Sequence, residues 1–286
     1  MPVAELNGLE IAYEVVGRGQ PWVITPGGRY NKESGGIPEM ARALADRGKQ
    51  AIIWDRPNCG ASSVEFSGRS ESEVQSEALA ALLRHLDVGP TVIIGGSGGA
   101  RVSLLTAARN PDVSAGLAMW WISGGVYGLH VLAQYYCAPS VGAAWHGGMQ
   151  AVLELPDWRE VLERNPANRD RFLAMDRLAF IEVMERWMMA YYPCDDTKLV
   201  PGLDDEDVAR LDLPILVFRS GSTDINHTRA ASERLAAGLP GARLVEPPWG
   251  DNEWNDRSAD RAAPRFAGWP QLVPQLIAWS DELIGP

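Results

Sequence analysis

The chain has 286 residues, enough for one large domain or two small ones, and its 46% hydrophobic content supplies a sizeable core. A net charge of −11 repels phosphate backbones and argues against a nucleic-acid partner. No apolar run approaches the length of a membrane span, and MPVAELNGLEIAYEVVG lacks the basic and apolar regions of a signal peptide, so a cytoplasmic protein with no membrane partner is expected. Cys59, Cys137 and Cys194 are odd in number and form no CxxC pattern, which fits reduced thiols. His85, His130, His146 and His227 have no metal-ligand spacing, so neither a metal nor another cofactor is expected.

Residues 2–17 alternate apolar and polar around Asn7-Gly8, the signal of a two-residue hairpin. An apolar run from Trp22 to Ile24 breaks at Thr25-Pro26-Gly27-Gly28-Arg29. Ile37 to Arg47 has helical spacing, and QAIIWD (50–55) is a buried strand entering Asp55-Arg56-Pro57-Asn58-Cys59-Gly60-Ala61-Ser62. Ser70 to Leu86 predicts an amphipathic helix with an acidic first turn. Thr91 to Ile94 is β-prone and runs into Gly95-Gly96-Ser97-Gly98-Gly99 and a helix of small residues. Leu117 to Ile122 is a further strand. From about Gly124 to Leu211 the pattern is helical and aromatic; the strand rhythm resumes at Pro214–Phe218, with a helix over 229–239, a strand over 242–245 and a closing helix over 270–283. Strands alternating with helices imply a mostly parallel sheet covered on both faces, and the helical insertion reads as a cap.

The stretch from Thr91 onward is G-x-S-x-G with a strand before it and a helix after it. A serine on such a sharp turn projects its hydroxyl above the sheet, and the amide of the next residue, Gly98, sits at a helix N-terminus suited to an oxyanion. With its context, this motif resembles the α/β-hydrolase family, over nearly the whole chain. The similarity is greatest to the group with small helical caps, which includes meta-cleavage-product hydrolases, proline iminopeptidases, haloperoxidase-like esterases and lactone hydrolases. The turn at 55–62 looks like that group's D-x-x-G-x-G-x-S, with Asn58 where the first glycine is usual. The resemblance implies an α/β-hydrolase fold with a core over 1–123 and 212–286 and a helical cap over 124–211, inserted between the sixth and seventh strands.

It also implies roles. Ser97 is the expected nucleophile, and Gly28, with Gly27 close behind, the second oxyanion donor beside Gly98. Asp224, in Arg219-Ser-Gly-Ser-Thr-Asp, resembles the family's strand-G-x-x-D acid. Relatives carry the catalytic His after the last strand, where this chain has Asp251 and no histidine follows. A carboxylate is a poor base for serine at neutral pH. The first candidate to replace the missing base is His227, with Asp251 or Asp224 on its other nitrogen; His130 and His146 in the cap come next, and His85 reads as a surface residue. Trp121, Tyr127, Tyr135 and Trp187 suggest an apolar substrate pocket, although packing explains most of the cap's aromatics. Arg29 and Tyr30 stand beside the oxyanion loop, and Arg29 reads more simply as solvent-facing. Residues 252–268 form either a flap over the site or a mobile loop. The expected activity is cofactor-free serine hydrolysis of an ester, lactone or activated C–C bond in a hydrophobic small molecule. A lyase, dehydratase or cyclase, or a ligand-binding protein on the same scaffold, is the alternative, and a homodimer stays open.

Overall fold

In the computed structural model, which describes residues 2–192, 199–259 and 264–284, the apolar runs become the strands of one eight-stranded sheet. The elements are β1 (Val3–Leu6), β2 (Leu9–Gly17), β3 (Gln20–Thr25), α1 (Ile37–Ala45), β4 (Lys49–Trp54), α2 (Glu71–Leu86), β5 (Thr91–Gly96), α3 (Gly98–Arg109) and β6 (Ser114–Trp120). Helices α4 (Val126–Tyr136), α5 (Ala138–Leu153), α6 (Pro156–Arg164), α7 (Asn168–Leu173), α8 (Arg177–Tyr191) and α9 (Asp205–Ala209) follow. The core then resumes with β7 (Ile215–Phe218), α10 (Arg229–Gly238), β8 (Arg243–Val245), α11 (Glu253–Ala259) and α12 (Val273–Leu283). The strand order is β1-β2-β4-β3-β5-β6-β7-β8; β1 and β2 pair antiparallel, β2 runs antiparallel to β4, and every later pairing is parallel.

Asn7 and Gly8 both adopt positive φ, as the tight turn between β1 and β2 requires. Strands β5, β6 and β7 are buried on both faces, which is why they read as continuous apolar runs rather than alternating ones. One face packs Val23, Ile52, Ile93 and Leu117 against α2 and α3. The other packs Ile24, Ile53, Ile94 and Phe218 against α1 and α12. Ser70 caps α2 by accepting from the Glu73 amide at 3.2 Å.

The helices between β6 and β7 have an apolar cluster of their own, centred on Trp158, Phe172, Phe180 and Trp187. Phe66, from the loop after β4, inserts into it edge-on to Trp158 and Phe180. Asn168 fastens the cap polarly: its Oδ1 accepts from the Val64 amide at 2.8 Å, and its Nδ2 donates to the Ser62 carbonyl at 3.0 Å. Trp187, expected in the substrate pocket, is 1% exposed inside this cluster, with its Nε1 donating to the Ser67 carbonyl.

Candidate active site

Ser97 stands between β5 and α3 with φ 57 and ψ −125, backbone geometry that costs a side-chain-bearing residue about 1–3 kcal/mol. The neighbours enforce it. A Cβ on Gly99 would lie 2.0 Å from the Thr25 carbonyl oxygen, so α3 can start this close to β3 only with glycine there. The Ser97 amide donates to the Trp120 carbonyl at 3.1 Å, and Trp121, next along, is itself left-handed with φ 50. Two strained residues thus stand side by side at the C-terminal ends of adjacent strands.

The loop between β7 and α10 supplies the other groups. Asp224 Oδ1 accepts from the amides of Asn226 and His227, both at 2.9 Å, an Asx turn that fixes the loop. Asp224 Oδ2 accepts from His227 Nδ1 at 2.9 Å. That contact assigns the ring proton to Nδ1, leaves Nε2 as acceptor, and lets Ser97 Oγ donate to it at 2.9 Å. Both residues are buried, His227 at 2% and Asp224 at 4% exposure. Trp121 stacks on the imidazole, and Trp254 of α11 meets it edge-on at 4.4 Å. The segment after β8 thus contributes a wall of the site through Trp254.

Asp251, expected near Ser97 or behind the His227 ring, is at neither. Its half-exposed carboxylate accepts from the Ser222 hydroxyl and from Arg229, while its backbone carbonyl accepts from Thr223 Oγ1. The Ser222 hydroxyl and then Arg229 hold it below the usual carboxylate range. The reason is geometric: Asp224 lies three residues from His227 on the same turn, whereas Asp251 follows the three-residue strand β8 with its carboxylate half-exposed. His130 bonds its own helix through the Val126 carbonyl, and His146 and His85 are exposed.

Across from His227, the Gly28 amide nitrogen stands 3.6 Å from where a Cβ on Gly98 would be. Buried Arg56 donates to the carbonyls of Gly27, Gly28 and Tyr30, drawing those oxygens to one side of the turn. Sequence reasoning missed Arg56, which carries no signal beyond its neighbourhood to Asp55. Arg29 is not solvent-facing: it pairs with buried Glu71 and lies over the rings of Trp158 and Tyr136. Burial opposes its charge, but the Glu71 carboxylate outweighs that and raises the guanidinium above its ordinary value. Asn58, left-handed with φ 69 where a glycine was expected, uses its side chain to donate to Glu71 Oε1 at 3.0 Å. Tyr30 packs edge-on to Phe266 and accepts from Arg265. Tyr127 and Tyr135 of α4 are 60% and 51% exposed and do not line the crevice at Ser97.

That crevice is closely packed, too tight for a water molecule, and is walled by Leu104, Met119, Ile122, Val200 and Leu235, with Arg101 and Ser123 as its polar members beside Ser97. Through Ser123 and Val200 it adjoins a cleft of about 320 Å³ between the core and helices α4 and α8. Among the described residues no group of three His, Cys, Asp or Glu could hold a metal ion, and no helix is long and apolar enough to cross a membrane.

The family model described as "alpha/beta hydrolase fold" matches residues 21–119. The structure superposes on the enol-lactonase from Burkholderia xenovorans LB400 with a TM-score of 0.60 at 20% identity, covering 97% of this chain and 100% of that one. This chain has the α/β-hydrolase fold. Another structure with this α/β-hydrolase architecture is a thermophilic esterase from Thermogutta terrifontis (TM-score 0.63, 19% identity, 99% of this chain and 100% of that one). A third is Est816, described as an N-acyl homoserine lactone degrading enzyme (TM-score 0.60, 19% identity, 97% and 99%). No curated protein matches the chain in sequence.

Proposed function

We propose that this protein is a cofactor-independent serine hydrolase of an ester, lactone or activated C–C bond in a largely apolar small molecule. The observation that carries the reading is the continuous line Ser97 Oγ, His227 Nε2, His227 Nδ1, Asp224 Oδ2, with 2.9 Å at each of its two hydrogen bonds. In this mechanism His227 takes the Ser97 proton as the oxygen attacks the acyl carbon, and Asp224 stabilises the imidazolium that forms. The Gly28 and Gly98 amides meet the developing oxyanion. His227 then returns its proton to the leaving group, and a water, activated by the same ring, releases the acyl chain from Ser97.

The lactonase, lactone-degrading and esterase activities named for the proteins of similar fold support acyl chemistry. The lyase, dehydratase or cyclase reading depended on a missing base, and with His227 on Ser97 no observation favours it. The test is labelling with a fluorophosphonate, followed by turnover of a panel of short esters and lactones. Stoichiometric labelling of Ser97, lost in Ser97→Ala and His227→Ala, is expected; an unlabelled Ser97 with no turnover removes the reading.

A further inference from the structure

Helix α4 reaches both groups that flank Ser97. Near its start, a Cβ on Gly128 would lie 2.8 Å from the Asn226 carbonyl oxygen, so the helix backbone rests on the turn that carries Asp224 and His227. Further along the same face, the Tyr136 hydroxyl lies 3.8 Å from where a Cβ on Gly28 would be. That loop abuts the nucleophile, since a Cβ on Gly27 would stand 2.7 Å from Ser97 Cβ. Leu132, midway between Gly128 and Tyr136, is half-buried and belongs to none of the three apolar clusters, as befits a side chain over a site rather than in a core. The Tyr136 ring is fixed. It stacks on Tyr191 with centroids 6.1 Å apart, meets Tyr135 edge-on at 5.2 Å, and has the Arg29 guanidinium carbon 5.2 Å from its centre. Its Oη makes no hydrogen bond among the described residues and is not sealed from solvent; Ser97 is likewise only half-buried. Burial, and next the Tyr191 hydroxyl, raise the phenol above its ordinary value, and Arg29 offsets only part of this, so the group stays a protonated donor. A rigid, neutral O–H with no partner thus stands beside the Gly28 amide.

We infer that Tyr136 is a further catalytic residue: its Oη donates to the carbonyl oxygen that the Gly28 and Gly98 amides receive, so that the cap completes the oxyanion site. The inference takes its reaction from the hydrolase reading above. The phenol and the Gly28 amide flank the same Cα, which favours this oxygen over the rest of the substrate as their shared acceptor. As the bond from Ser97 Oγ to the acyl carbon forms, the serine proton passes to His227 and the carbonyl π pair becomes a lone pair on oxygen. Tyr136 meets that charge with its O–H and keeps its own proton. The hydrogen bond is stronger to the oxyanion than to the ground-state carbonyl, so the phenol acts on kcat more than on KM.

The experiment follows turnover of p-nitrophenyl butyrate and inhibition by butyl trifluoromethyl ketone, whose carbonyl carbon takes up Ser97 Oγ and leaves an oxyanion. Butyl methyl ketone, which forms no such adduct, is the control. Tyr136→Phe keeps the ring and its stacking and removes only the donor. It should lower kcat at least tenfold with KM within about threefold. The trifluoromethyl ketone should weaken by the factor lost in kcat/KM, and the methyl ketone should be unaffected. A purely structural role would instead lower Tm or raise KM and weaken both ketones alike. Wild-type kcat in a folded Tyr136→Phe, or equal losses for the two ketones, overturns the assignment. Should Tyr136→Phe fail to fold, a crystal structure of the wild type carrying the trifluoromethyl ketone on Ser97 decides. Tyr136 Oη at about 3 Å from the adduct oxygen is expected, and a phenol outside hydrogen-bonding distance removes the role. If fluorophosphonate leaves wild-type Ser97 unlabelled and no ester turns over, the hydrolase reading falls and this inference with it. A labelled Ser97 with an unaffected Tyr136→Phe overturns this inference alone.

Discussion

At Ser97 the hydroxyl bonds the His227 ring, and Asp224 orients that ring from the same turn. Replacing Asp224 with Asn keeps the Asx turn but turns an NH2 donor onto Nδ1, which moves the ring proton to Nε2 and away from accepting from Ser97, so kcat/KM should fall roughly 10³–10⁴-fold with little change in Tm. His227→Ala should approach the loss seen in Ser97→Ala, and the double variant should lose little more, because the two act as a unit. Asp251→Asn is the contrast: its carboxylate touches Ser222 and Arg229, not the ring, so kcat/KM should change less than about tenfold. Steady-state kinetics on one ester separate these cases. The residues were only partly legible in the sequence. Ser97 announced itself because strand, glycines and helix all had to be present around it. The partner of the His227 ring did not, since Asp224 and Asp251 differ in orientation rather than in type. Arg29 was misread as exposed because its carboxylate partner, Glu71, is remote in sequence and reaches it only through the fold.

The elements were easier to read where burial was two-sided. β5, β6 and β7 gave unbroken apolar runs, whereas β8, three residues on the sheet edge with no buried position, gave almost none. Short α9 has little propensity behind it and is held by charge: Asp207, nearly buried, accepts from Arg109 of α3 at 2.8 Å and also lies near Arg210. Burial disfavours the Asp207 carboxylate, but Arg109 and the Asp204 amide overcome this and keep it below the usual range. A depressed folded-state pKa means that the pair stabilises fully above the unfolded value near 3.9 and that this contribution is lost as the pH falls through the folded value. Asp207→Asn should therefore cost about 1–3 kcal/mol at neutral pH, and the gap in urea midpoint should narrow progressively below about pH 4. Trp187 tests the cap in the same way. Its removal to Ala should lower stability by about 3–5 kcal/mol rather than change substrate preference, because its ring fills the cap's apolar cluster.

The loop from Asn58 to Gly68 is where the whole molecule is tied together. It carries Phe66 into the cap cluster, receives Asn168 from α7, accepts from Trp187 and Arg186 of α8, and sends Asn58 to Glu71 beside the site. Cap and core should consequently unfold as one cooperative unit: urea transitions followed by tryptophan fluorescence and by far-ultraviolet circular dichroism should coincide, and separated midpoints would mean that the cap melts alone. The sequence showed where strand rhythm stopped and resumed, which is where α4 to α9 stand between β6 and β7. It could not show this tie, since a loop's hydrogen bonds to distant elements leave no periodicity.

Asp224 and His227 share a turn, only three residues apart, and this alters the mechanics of the constellation that the proposed mechanism uses. When the turn drifts, the imidazole and the carboxylate that orients it move as one body, so their mutual alignment survives. The only adjustable joint is the gap between Nε2 and Oγ. Where acid and base ride on separate loops, two joints must come into register together. Here readiness reduces to a single coordinate, and a partly opened form still holds a correctly aimed ring.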